Sequence, residues 1–121
     1  MSSRSQISNF KFQIGAVTLL VVAAIYLLTF QTDICSNPSE YVIDSGEYQI
    51  ALPLWGTVHH TGAPTYSLVG SAFVSLVRLT GVPPAAGVAL FSVVCALVGL
   101  GLLYALSVHL TGNPWACSAV A

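Results

Sequence analysis

The chain has 121 residues, 55% of them hydrophobic and only 6% charged, with a formal net charge of −1. Soluble domains carry about a quarter charged residues, so this balance excludes an ordinary soluble fold and points to an integral membrane protein. The three basic side chains form no run, which excludes nucleic acid as a partner.

Residues 1–11 hold Arg4 and Lys11 and read as a cytoplasmic N-terminus. Residues 12–32 contain no charge, and Ile14–Phe30 is almost continuously apolar. About 20 residues at roughly 1.5 Å each cross a bilayer core of ~30 Å, so this is the first expected transmembrane helix. A cleaved signal peptide is the rival reading, but the run exceeds the usual h-region of roughly 7–15 residues. "FQTDICS" also offers no small-residue cleavage site.

Residues 33–63 form a long acidic connection with the sequence "DSGEYQIALPLWGTVHHTGA" at its end. Asp44 and Glu47 suit a capping box, and Tyr48, Leu52 and Trp55 then share one apolar face of a short interfacial helix. Pro53 stops that helix, because proline offers no N–H to Gln49. Pro64 is placed to open the second span, residues 64–79, which is rich in small residues that favour close helix packing. Residues 80–84 make a turn, residues 85–110 a third span, residues 111–114 a second turn, and 115–121 the start of a truncated fourth. The chain therefore reads as the N-terminal portion of a longer polytopic protein, inactive by itself.

Arg4, Lys11 and Arg78 fall on one side of three crossings, so the positive-inside rule puts the N-terminus and the 80–84 turn in the cytoplasm. The 33–63 connection is then extracytoplasmic, and its aromatic and aliphatic content predicts that it is structured. The expected location is a bacterial inner membrane. Cys35, Cys95 and Cys117 are odd in number and lack C-x-x-C spacing, so neither a disulfide framework nor a zinc site follows.

Two chemistries compete for the ionisable residues of this connection. Asp44 and Glu47 are either helix-capping groups or carboxylates poised at the membrane boundary to take a proton from an attacking hydroxyl. His59 and His60 alone fall short of the three protein ligands of catalytic zinc, so no metal ligand and no cofactor is assigned, and a divalent ion is the less favoured alternative. A divalent ion would need Asp44 and Glu47 within reach of the histidines. Contact of a histidine with a phosphate or a sugar hydroxyl is the preferred reading.

"DSGE", followed after an interfacial segment by "VHHTGAPTY" and a span rich in small residues, resembles a family of polytopic membrane proteins related to protein O-mannosyltransferases. The family's stretch reads D-[ST]-G-E, then H-P-P-G-Y-P-x-Y. Asp44, Ser45, Gly46 and Glu47 match the first part; His59, Gly62, Pro64 and Tyr66 match the second. His60, Thr61 and Ala63 depart from it, and two stiffening prolines are thereby lost. The resemblance implies a GT-C glycosyltransferase bundle of transmembrane helices, taking a sugar from a polyprenyl-phosphate donor with inversion at the anomeric carbon. It implies Asp44 as the base for an acceptor hydroxyl, Glu47 as its assistant, and His59 as a donor-phosphate or structural contact; His60 and Tyr66 are further candidate substrate contacts. The sugar and the acceptor stay open. A non-catalytic small membrane protein or interaction subunit is the alternative; a transporter is disfavoured because no charge falls in the middle of a span.

Overall fold

The computed structural model describes residues 2–30, 32–34, 43–59 and 63–113. Four helices account for most of them: α1 (Ser2–Leu28), α2 (Ile43–Ala51), α3 (Pro64–Arg78) and α4 (Pro84–Thr111). No strand occurs among the described residues. Two stretches are long and apolar enough to cross a membrane, Phe10–Leu28 of α1 and Pro84–Thr111 of α4. Their large side chains, Leu20, Leu28, Leu102 and Leu110 among them, are exposed, as lipid-facing groups are. The 15 residues of α3 rise roughly 22 Å, short of a ~30 Å core. The segment expected to start a fourth span, 115–121, lies outside the described residues.

α1 closes at Leu28, short of the expected end at Thr32. Thr29 caps the last turn, its N–H and its hydroxyl both donating to the Ile25 carbonyl, at 3.0 and 2.9 Å.

Contacts group the chain into two units. In the first, residues 1–29 and 93–121, α1 packs against the later turns of α4. Gly15 is what lets them meet: a Cβ built there would lie 2.5 Å from Tyr104 Cε1. The Tyr104 hydroxyl donates to the Lys11 carbonyl at 2.8 Å.

In the second unit, residues 30–92, the core is Leu52, Val74 and Val88, all buried, with Tyr48 and Tyr66 packed against it. Gly70 makes room at this centre, since a Cβ there would approach Phe91 Cε1 to 2.9 Å and Leu52 Cδ1 to 3.0 Å. Pro53 removes the donor that would extend α2, and the chain tightens into a 3-10 turn over Leu52–Leu54. Trp55 then adopts the left-handed region (φ 55), with its N–H donating to the Leu52 carbonyl at 3.2 Å. Gly56 N–H donates to Ala51 at 2.8 Å, which completes a Schellman stop. The indole Nε1 donates to Ser75 Oγ at 3.2 Å, tying this turn to α3.

Candidate functional site

The site lies wholly in the unit of residues 30–92. α2 opens at Ile43 and so carries Asp44 in its first turn, where the positive end of the helix dipole favours a carboxylate. Asp44 and Tyr48 are four residues apart and Ser45 and Tyr48 three apart, so they share a face. Asp44 and Ser45 are exposed and Tyr48 is half-buried. None of the three side chains hydrogen-bonds to a described residue.

Glu47 is occupied differently. Its Oε1 accepts the backbone N–H of His59 at 2.7 Å, and its Oε2 lies 2.6 Å from His59 Nδ1. The capping box expected from Asp44 and Glu47 is therefore replaced among the described residues by a tie between α2 and the segment that leads into α3. The i, i+3 spacing that suggests a cap says nothing about a partner twelve residues on.

The same contact sets the electrostatics. The Glu47 carboxylate, hydrogen-bonded to His59, is held below its ordinary pKa. His59 is raised above its ordinary pKa, first by the hydrogen bond to Glu47 and then by that residue's charge, with Asp44 adding a smaller push. The His59 contribution is full below the ordinary histidine value and is lost as pH rises through the raised one. The Glu47 contribution is present above the ordinary carboxylate value and is lost as pH falls through the lowered one. The tie is thus strongest between those two ordinary values. In an NMR titration of the imidazole, His59 is expected to have its midpoint above that of a free histidine, and Glu47→Gln is expected to bring it back down. A wild-type midpoint at the free-histidine value would refute the tie.

Asp44 faces a cleft of about 550 Å3 that is also lined by Ser45, Tyr48, Gln49, Ala63, Tyr66, Val88, Ala89 and Ser92. Tyr66 comes from the first turns of α3, and its hydroxyl lies 2.8 Å from Ser92 Oγ on α4. Its ring meets Tyr48 edge to face, with centroids 5.2 Å apart, and tilts against Phe91 at 4.9 Å. Gln49 is buried and donates to the Asp33 carbonyl at 3.3 Å. Ala63, which precedes Pro64, is held in the left-handed region (φ 32), a strained geometry for a residue with a Cβ.

The structure thus brings Asp44, Glu47 and His59 together and places Tyr66 across the cleft from Asp44's helix. His60 lies outside the described residues. Ser45, Tyr48, Gln49 and Ser92 belong to the cleft and were not singled out from sequence as site residues. Tyr48 was legible as the i+4 neighbour of Asp44; Ser92 had no local signal, because only tertiary packing brings it to Tyr66.

Asp44, Glu47 and His59 each offer a ligand atom, all within 4.8 Å of one another, so these residues could hold a divalent ion. Such an ion would compete with His59 for the Glu47 oxygens, which are engaged without it.

The family model described as the protein O-mannosyl-transferase TMEM260 N-terminal domain matches residues 44–117, a stretch that begins at Asp44 and contains the whole cleft except its contact with Asp33. No curated protein and no solved structure matches the chain. Together with the two long apolar helices, the family match makes this an all-α membrane protein related to the O-mannosyltransferases.

Proposed function

This chain belongs to the protein O-mannosyl-transferase TMEM260 N-terminal domain family, and from that premise we propose that it transfers a sugar from a polyprenyl-phosphate donor to an acceptor hydroxyl, as part of a GT-C-type helical bundle. The observation that carries the reading is Asp44: an exposed carboxylate on the wall of a cleft, with no hydrogen bond from any described residue. A group so placed is available to an incoming substrate.

In this reading Asp44 accepts the proton of the acceptor hydroxyl as its oxygen attacks the anomeric carbon. The new C–O bond forms on the face opposite the phosphate, the old one breaks, and polyprenyl phosphate leaves. The anomeric configuration inverts. Glu47 is a poor second base, because His59 takes both its oxygens and holds its pKa down. Its role is to position: it fixes His59 against α2. The imidazole, kept cationic over a wider pH range by Glu47, suits contact with the donor phosphate, and His60 is assigned to the same substrate.

The proposed topology places residues 1–11 and the 80–84 turn in the cytoplasm and the cleft on the extracytoplasmic side, following the basic residues Arg4, Lys11 and Arg78. α3 crosses with local thinning of the bilayer and with help from its flanking residues.

The test is a transfer assay on membranes from cells expressing the gene, supplied with radiolabelled polyprenyl-phosphate mannose, the sugar that the family's name suggests. Label is expected to move to a product whose glycosidic bond is inverted relative to the donor. Membranes whose labelled product matches that of cells lacking the gene would rule the proposal out.

A further inference from the structure

The exposed side chains of α2 change character along its length. At its start Asp44 and Ser45 are exposed and polar. At its far end and in the turn that follows, Ile50, Leu54 and Trp55 are exposed and apolar, Leu54 most, at 74%. A helix lying flat on a membrane is polar along one side and apolar along the other. Here Tyr48 and Leu52, the membrane-facing stripe that the sequence suggests, pack inward with Val74 and Val88. The contrast runs from end to end instead. We infer that residues 43–59 form a re-entrant element: α2 dips into the extracytoplasmic leaflet beside α3, its tip at Leu54 and Trp55 meets lipid acyl chains, and the chain returns to the leaflet's surface at His59. The inference rests on α3 being the second span of the topology proposed above, and not on the transfer chemistry.

Three observations, all within the unit of residues 30–92, carry it. The first is direction. Tyr48 meets Tyr66 with ring centroids 5.2 Å apart, Leu52 lies against Gly70, and the Trp55 indole donates to Ser75 at 3.2 Å. The numbers rise together, so α2 and its turn run down α3 in the same direction as α3 itself. Ser75 stands about 16 Å along α3 from Pro64, at ~1.5 Å per residue. The rise from Asp44 to Leu54 is likewise about 15 Å, half of a ~30 Å hydrocarbon core.

The second is the return. The His59 N–H donates to Glu47 Oε1 at 2.7 Å, and its ring meets the other oxygen of the same carboxylate. By His59 the chain is back beside the first turns of α2.

The third is the state of the tip. Hydrocarbon offers no hydrogen-bond partner, so non-helical backbone at that depth must be satisfied by the protein. Trp55 N–H donates to the Leu52 carbonyl at 3.2 Å and Gly56 N–H to the Ala51 carbonyl at 2.8 Å, while Pro53 has no N–H to satisfy. The indole N–H goes to Ser75, which leaves Trp55 an apolar ring to present. No charged residue occurs from Tyr48 to Val58, so nothing there resists entry into lipid. The tip also continues the lipid-facing side of α3, since the exposed Leu68 borders the same groove as Trp55. This course holds Asp44 at the depth of the lipid headgroups.

The experiment is tryptophan quenching on the full chain in liposomes. Trp115→Phe leaves Trp55 as the single tryptophan of two. The quenchers are phosphatidylcholine brominated near the headgroup or near the middle of its acyl chains, and iodide in the water. Trp55 is expected to lose most of its emission to the mid-chain bromines and to be shielded from iodide. A second protein, carrying Trp55→Phe, Trp115→Phe and Leu76→Trp, reports α3 in the same way, and helical circular dichroism shows that both fold. If mid-chain bromines quench the reporter on α3 but not Trp55, α2 lies outside the hydrocarbon and the inference is overturned with the α3 span intact. If they quench neither, the α3 span fails and the inference with it. A Trp55 shielded from lipid and iodide alike would mean that protein covers the tip, which also overturns it.

Discussion

Asp44→Asn is expected to lower sugar transfer roughly a hundred- to ten-thousand-fold, the span usual for loss of a positioned general base, while the protein inserts and folds as before. Asparagine keeps the shape of the side chain but cannot take up the proton. The two readings of this residue, cap and base, differ in what else the substitution does. A carboxylate needed to satisfy the first turn of α2 would cost stability when neutralised. Asp44 is exposed and hydrogen-bonds to no described residue, so only its interaction with the helix dipole and its minor charge effect on His59 are lost, both small. Transfer activity and thermal midpoint, measured on the same membrane preparation, separate the two. Lost activity with an unchanged midpoint supports the base. Retained activity sinks it, whatever the midpoint does.

The second large effect is expected from a residue far less exposed to chemistry. Leu52→Ala should destabilise the unit of residues 30–92 by about 2–5 kcal/mol, the usual range for truncating a buried leucine. Leu52 is fully buried, shares a core with Val74 and Val88, and touches the space that Gly70 leaves open. Loss of its side chain would leave a void between α3 and the turn that ends α2. The neighbours are poorly placed to collapse into it, because Trp55 is anchored to Ser75 and Gly56 to Ala51. Thermal unfolding followed by circular dichroism in detergent micelles is the measurement. A midpoint equal to that of the wild type would show that Leu52 is not the keystone its burial suggests.

How much of this could be read from the residues depends on how local each cause is. Proline acts on its own backbone, so Pro64 at the start of α3 and Pro53 at the end of α2's regular geometry were legible from sequence. The two long apolar stretches were legible from composition alone. The end of α1 was less so, because hydropathy marks where a segment is apolar and not where its backbone leaves the helix. Within the site, Asp44 stood out as a carboxylate at a helix start. The partner of Glu47 did not, since a capping pattern and a tie to His59 begin from the same two acidic residues. Ser92 was beyond reach: nothing in the spacing between residues 48, 66 and 92 says that three helices will bring them together.

That convergence bears on how this site could change its preference. Tyr66 borders the cleft, yet the same ring packs on Leu52, Val74 and Val88 and leans on Phe91, while its hydroxyl meets Ser92. Tyr48 likewise belongs to both the wall and the core. The surface that meets a ligand and the surface that holds the helices together are two sides of one pair of rings. A substitution that reshapes the cleft must therefore also fit the packing behind it, and binding a ligand braces three helices at once. Selectivity here can drift only along substitutions that conserve volume, which leaves the exposed residues of α2, Ser45 first among them, as the freer positions for adaptation.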